Sequence, residues 1–183
     1  MDCKTVMAPI KTCLYTDELA SSVIAFMVEK HMGLVPVTER DGTFAGLISG
    51  DGLMKYLLPR SLTSMGSGGL LGGFKIHKRA SYLDETASEM HERLDALHDR
   101  PIGELLDRHV KVAHPDTPLI DALMMIKDKQ YVVPVVDENN KLVGAISFFS
   151  VMYGLGEEHS RETAELKRLA DRAKREHDKE DSQ

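Results

Sequence analysis

The sequence has no tryptophan, only two cysteines, few aromatic residues and no long apolar run. Cys3 and Cys13 make no Cys-x-x-Cys pair and are too few for a disulfide framework, so a reducing, cytoplasmic setting is expected. No stretch approaches the roughly 20 apolar residues needed to span a bilayer, so a membrane is not expected as a partner. The opening residues, MDCKTVMAPI, do not follow the basic-then-apolar order of a signal peptide. Positive charge is also short, with a formal net charge of −6. General binding to nucleic acid needs a clustered basic field, so nucleic acid is not expected either. What remains is a globular composition, 42% hydrophobic and 28% charged, in 183 residues. That length holds one domain of moderate size or two small ones. Ten methionines suit irregular cores and adaptable pockets.

The most informative feature is a repeat. Residues 34–49 read LVPVTERDGTFAGLIS, and a near copy begins at Val132 and runs VVPVVDENNKLVGAIS. With Pro36 aligned on Pro134, an offset of 98, the copies run without a gap from Val35 to Ser49 and from Val133 to Ser147. The shared residues include Val35 and Val133, Gly46 and Gly144, and Ser49 and Ser147. Each copy has two apolar runs around a polar turn, ERDG or DENN, which is the pattern of a β-hairpin. Gly46 and Gly144 open the second apolar run, where a glycine implies that a neighbouring backbone approaches closely.

Helical spacing precedes each hairpin, at Leu19, Val23, Phe26 and Met27 and again at Leu119, Ala122, Leu123 and Ile126. Short apolar segments follow at 52–58 and 151–155, and isolated strands are expected near Ile10–Tyr15 and Val110–Ala113. The predicted unit is strand, helix, strand, strand, helix, written twice. Neither copy has much core alone, so the two are expected to pack together.

This pattern of helix, apolar-x-Pro-Val, polar turn, apolar-Gly-apolar-apolar-Ser and helix resembles the CBS domain, named for cystathionine β-synthase. Two in tandem resemble a Bateman module. The resemblance covers 1–58 and 101–156 and implies an α/β fold of two CBS units packed as one pseudo-twofold module, forming a homodimer.

Between the copies, residues 59–100 form a linker with an extra helix. Its glycine cluster has neither Gly-x-Gly-x-x-Gly spacing nor a following Lys-Ser or Lys-Thr, so it reads as a flexible or turning segment and not a phosphate loop. Over 82–100, Leu83, Ala87, Met90, Leu94 and Leu97 predict an amphipathic helix with a capping box at Ser81 and Asp84. His91, Asp95 and His98 share a face of that helix, which reads as solvated and not as a metal site. Residues 157–183 form a charged helical tail whose end is expected to be disordered, with Leu166, Leu169, Ala170 and Ala173 as a narrow apolar stripe.

The resemblance also implies a ligand: AMP, ADP, ATP, S-adenosylmethionine or NADH, in the cleft between the CBS units. Apolar residues beside the Pro-Val strand (Val35 and Pro36, Val133 and Pro134) would hold adenine. Ser49 and Ser147 would stand at a helix N-terminus, where free N–H groups favour phosphate. The family places an aspartate three residues after that serine to hold ribose. Here those positions are Gly52 and Ser150, while Asp51 lies one position early. The same two serines also suit plain helix N-caps. No catalytic triad, paired carboxylates or metal motif is legible, and no cofactor is required. The expectation is a regulatory, non-enzymatic module that binds an adenosyl ligand and signals through dimer geometry. The alternative is a ligand-free dimerisation or protein-docking module with an unidentified protein partner.

Overall fold

A computed structural model describes residues 1–58 and 86–180. The elements are α1 (Cys3–Val6), β1 (Ala8–Pro9), α2 (Ala20–Lys30), β2 (Leu34–Thr38), β3 (Phe44–Ser49), α3 (Gly50–Leu57) and α4 (Ala87–His98). There follow a 3-10 turn (Ile102–Glu104), α5 (Leu119–Lys127), β4 (Val132–Val136), β5 (Leu142–Ser147) and α6 (Phe148–Glu180). Two mixed α/β units result. The first-hairpin unit is Lys11–Val110 with Asn139–Leu142; the second is Met1–Ile10, Lys111–Glu138 and Val143–Gln183.

Both hairpins form where the repeat predicts them, and their backbone irregularities recur at the same offset. His31 and Lys129, each just past a helix end, have φ of 53° and 72°, and Gly42 and Asn140 at the turns have 87° and 58°. A left-handed residue ends a helix by redirecting the chain, and glycine and asparagine tolerate that conformation best. In β2 and β3, Val35 pairs with Ile48 and faces the core, while Leu34 and Pro36 lie opposite Ser49 and Leu47 on the other face.

Each unit is completed by a segment that the repeat assigns to the other copy. In the first-hairpin unit, Ile102 and Gly103 donate backbone hydrogen bonds to Glu18 and Thr16, and Ala20 donates to Arg100. Asp107 exchanges two such bonds with Leu47, at 2.8 and 2.9 Å. In the second-hairpin unit, Cys3 and Lys4 donate to Thr117 and Pro115, Leu119 donates to Met1, and β1 pairs antiparallel with β5. We keep 1–58 and 101–156 as a proposed domain division based on the repeat; the contacts cut across it at both straps.

These straps explain the two repeated glycines. A Cβ on Gly46 would lie 2.6 Å from the Asp107 carbonyl oxygen, and one on Gly144 would lie 3.0 Å from that of Ala8. The close backbone approach inferred from sequence is therefore present in both units.

The isolated strands expected near Ile10–Tyr15 and Val110–Ala113 reduce to single parallel bridges, Tyr15 to Thr38 and Ala113 to Val135. Only Leu14 and Ala113 are buried there, so nothing extends either ladder.

Helix α4 begins later than its apolar spacing predicts, because Thr86 and Glu89 form the capping box. Ser81, Asp84, Leu83 and the glycine cluster lie outside the described residues. Leu97 is buried and Leu94 half-buried, but Met90 and Ala87 are exposed, so only the end of the stripe packs.

The segment at 151–155 and the charged tail form one continuous helix, α6, rather than two. Gly154 does not break it. A Cβ there would lie 2.8 Å from the Val6 side chain, so the glycine lets α1 seat against the helix. Residues 181–183, where disorder was expected, lie outside the described residues.

Candidate hairpin–helix ligand sites

In the first-hairpin unit, Ser49 ends β3 and caps α3. Its Oγ accepts from the Gly52 N–H at 3.0 Å, while the Gly50 N–H donates to the Gly33 carbonyl at 2.9 Å. These two bonds fix the helix start at Gly50, without the shift that would move Asp51 into the family position. Asp51 is the exposed carboxylate of the first turn. Leu34, Pro36, Leu47 and Ser49 share one face of the hairpin. Leu34 and Pro36 are half-buried there, whereas Val35 turns into the core. Strand alternation was the available signal: the residue that shares a face with Pro36 is Leu34, not Val35.

In the second-hairpin unit, Ser147 occupies the same place, but its surroundings differ. The Ser147 N–H donates to Ser150 Oγ at 2.9 Å, the Ser150 N–H donates to Ser147 Oγ at 3.4 Å, and the Ser150 hydroxyl donates to the Ser147 carbonyl at 3.1 Å. Ser150 thus spends its proton and one acceptor site on its own helix turn. No acidic residue stands in the first turn of α6. Phe148 and Phe149 occupy it instead, exposed and edge-to-face with ring centroids 5.6 Å apart. Val133 and Pro134 are both buried, Val133 within the core.

Beside the first hairpin, Arg40 lies 4.2 Å over the Tyr15 ring and hydrogen-bonds Asp17, which holds the Asp17 carboxyl below its ordinary range. Lys30, His31 and Lys129 are exposed. An apolar groove of about 280 Å³ between α2, α3 and α4 is lined by Val28, Met32, Met54 and Leu94 among others. It offers no polar group to orient a phosphate. A second hollow of about 390 Å³ collects Lys55, Arg93 and Arg100, but two of these cations have structural tasks. Arg93 Nε donates to the Leu57 carbonyl at the end of α3, and Arg100 stacks on Tyr56 and pairs with Glu104. Among the described residues, no group of three His, Cys, Asp or Glu side chains is arranged to hold a metal, and no helix is long and apolar enough to cross a membrane.

The family model for the CBS domain matches residues 102–157. No curated protein matches the chain. Among solved structures, CBSX2 in complex with AMP is similar at 17% identity with a TM-score of 0.59, covering 86% of this chain and 98% of that one. CBSX2 from Arabidopsis thaliana is 19% identical with a TM-score of 0.60, covering 92% and 97%. A CBS domain-containing protein of unknown function from Bacillus anthracis str. Ames Ancestor is 13% identical with a TM-score of 0.62, covering 86% and 94%. At these identities the likeness establishes the fold.

Proposed function

From a chain whose residues 102–157 are a CBS domain and whose fold is that of CBS-pair proteins, we propose a regulatory module that binds an adenosyl ligand. The observation that carries the reading is Asp51. It is an exposed carboxylate in the first turn of a helix whose start is fixed by the Ser49 cap, and Ser49 itself shares the hairpin face of Pro36. A carboxylate accepts from two adjacent hydroxyls, which is what a ribose offers. The positive dipole end of α3 favours the negative charge of a phosphate, although the Gly50 and Gly52 N–H groups are already bonded, and the partly open apolar face of Leu34 and Pro36 suits adenine. In the second unit only Ser147 keeps the matching place: Val133 and Pro134 are buried, Ser150 is committed to its own turn, and no acid stands in the first turn. The CBSX2 structure is a complex with AMP, which supports testing AMP first, beside ADP, ATP, S-adenosylmethionine and NADH. The module acts in the cytoplasm as a homodimer. The ligand changes the dimer by binding one arrangement better than the other.

A second reading, a ligand-free dimerisation or docking module, is favoured by the second hairpin. There the first turn of α6 carries exposed Phe148 and Phe149 in place of a carboxylate. Thermal melting with each of the five ligands separates the two. At a hundredfold excess over Kd, binding adds about 2.7 kcal/mol, a rise of about 5–11 °C for a chain of this length. We expect the rise with AMP and its loss in Asp51→Asn. Flat curves with all five ligands would favour the docking module.

A further inference from the structure

We propose that Gln130 is a built-in plug of the second-hairpin site: its own carboxamide holds the backbone edge that an amino-purine base would need. The Gln130 Oε1 accepts from the Lys111 N–H at 2.9 Å, and its Nε2 donates to the Lys111 carbonyl at 2.6 Å and to the Val132 carbonyl at 3.3 Å. One side chain thus engages both backbone polar groups of a single residue, as the facing residue of a β-ladder would. Val132 shares its strand face with Pro134, by the same alternation that sets Leu34 beside Pro36. The amide therefore stands at the second unit's counterpart of the Leu34–Pro36 face.

The first-hairpin unit has the same edge without the plug. The Thr38 N–H donates to the Leu14 carbonyl, and the N–H of its repeat partner Val136 donates to the Ala113 carbonyl. Leu14 and Ala113 are thus counterparts, and so are Thr12 and Lys111, each two residues earlier. Met32 occupies the place of Gln130; each directly follows a left-handed residue, His31 or Lys129. A thioether has no N–H to donate and accepts only weakly. Thr12 is exposed, and neither of its backbone polar groups has a partner among the described residues. The two proline faces differ in the same sense, since Pro36 is half-buried and Pro134 is buried.

The bonds identify what is excluded. A carboxamide and the amino edge of adenine carry the same pair, an N–H donor beside an acceptor, and either one matches the N–H and carbonyl of one residue. An adenosyl ligand reaches the second unit only by displacing Gln130, so the chain takes its ligand in the first unit. This inference rests on the adenosyl reading above and assigns it to one of the two units.

The test is calorimetric titration of the full chain with AMP. We expect one AMP per wild-type chain and a second, weaker one per Gln130→Met chain, because no acid stands in the first turn of α6. In Met32→Gln a new carboxamide competes for the Thr12 edge, and AMP should bind about tenfold more weakly. Met32 is 40% exposed, so this variant tests the plug whether or not Gln130→Met folds. Two AMP per wild-type chain, a folded Gln130→Met chain that still takes one, or unweakened binding by Met32→Gln each overturns the plug and leaves the adenosyl reading standing. Binding by Gln130→Met alone keeps the plug and sinks the first-hairpin site. No binding by any of the three chains overturns both.

Discussion

Thr38 is 1% exposed at the end of β2, and its Oγ1 has no hydrogen-bond partner among the described residues. The backbone around it is satisfied: its N–H donates to Leu14 and its carbonyl accepts from Thr16. The matching position of the second copy is Val136, also buried at 1%. Valine has the shape of threonine with a methyl in place of the hydroxyl, so Thr38→Val removes an unpaired polar group and opens no cavity. A buried donor left unpaired costs about 1–3 kcal/mol. The variant should recover most of that, raising Tm by about 2–12 °C at 2–4 °C per kcal/mol. Urea denaturation should show a higher midpoint with an unchanged slope. Thr38→Ser is the control. It keeps the hydroxyl and deletes the methyl, so it should destabilise by about 1 kcal/mol. If Thr38→Val lowers the midpoint while Thr38→Ser does not, the hydroxyl is paired in solution and the reasoning fails.

Gly46→Ala forces a Cβ against the Asp107 carbonyl and threatens both Asp107–Leu47 hydrogen bonds. Overpacking and lost bonds together predict about 2–4 kcal/mol of destabilisation. Gly33→Ala meets nothing within 4 Å and should stabilise by about 0.4–1 kcal/mol through the unfolded chain. Urea midpoints of the two variants check this pair, and equal effects would refute the strap. Within the first-hairpin unit, Lys141 lies 2.7 Å from Asp41; with the Thr43 N–H, it holds the Asp41 carboxyl well below the usual carboxylate range. A depressed folded pKa contributes stability that is present above the ordinary value near 4 and is lost as pH falls toward the folded value. Asp41→Asn should therefore be less stable than the wild type at neutral pH, with the gap in urea midpoint closing below about pH 4. A gap independent of pH would show that the charge contributes nothing.

Much of the local structure was legible because it follows from nearest neighbours in sequence. Helical spacing located α2 and α5, alternation around polar turns located both hairpins, and the shared Gly46 and Gly144 reported close approach before either neighbour was known. Ser49 and Ser147 as helix caps were also readable, since a cap uses N–H groups only three residues away. The site was less legible. Preferring Leu34 to Val35 beside Pro36 needed only strand alternation, which the sequence reading did not apply, whereas the commitment of Ser150 to its own turn required hydrogen-bond geometry.

The sequence by itself determined the elements and their repetition, because propensity, periodicity and turn chemistry act over a few residues. Only the tertiary structure decided which segments complete each core. Residues 101–107 strap the first hairpin and residues 1–9 the second, through backbone hydrogen bonds that carry no side-chain signature. It also decided that α6 runs unbroken through Gly154, because the close contact with Val6 gives that glycine a packing role, and the sequence did not show that contact.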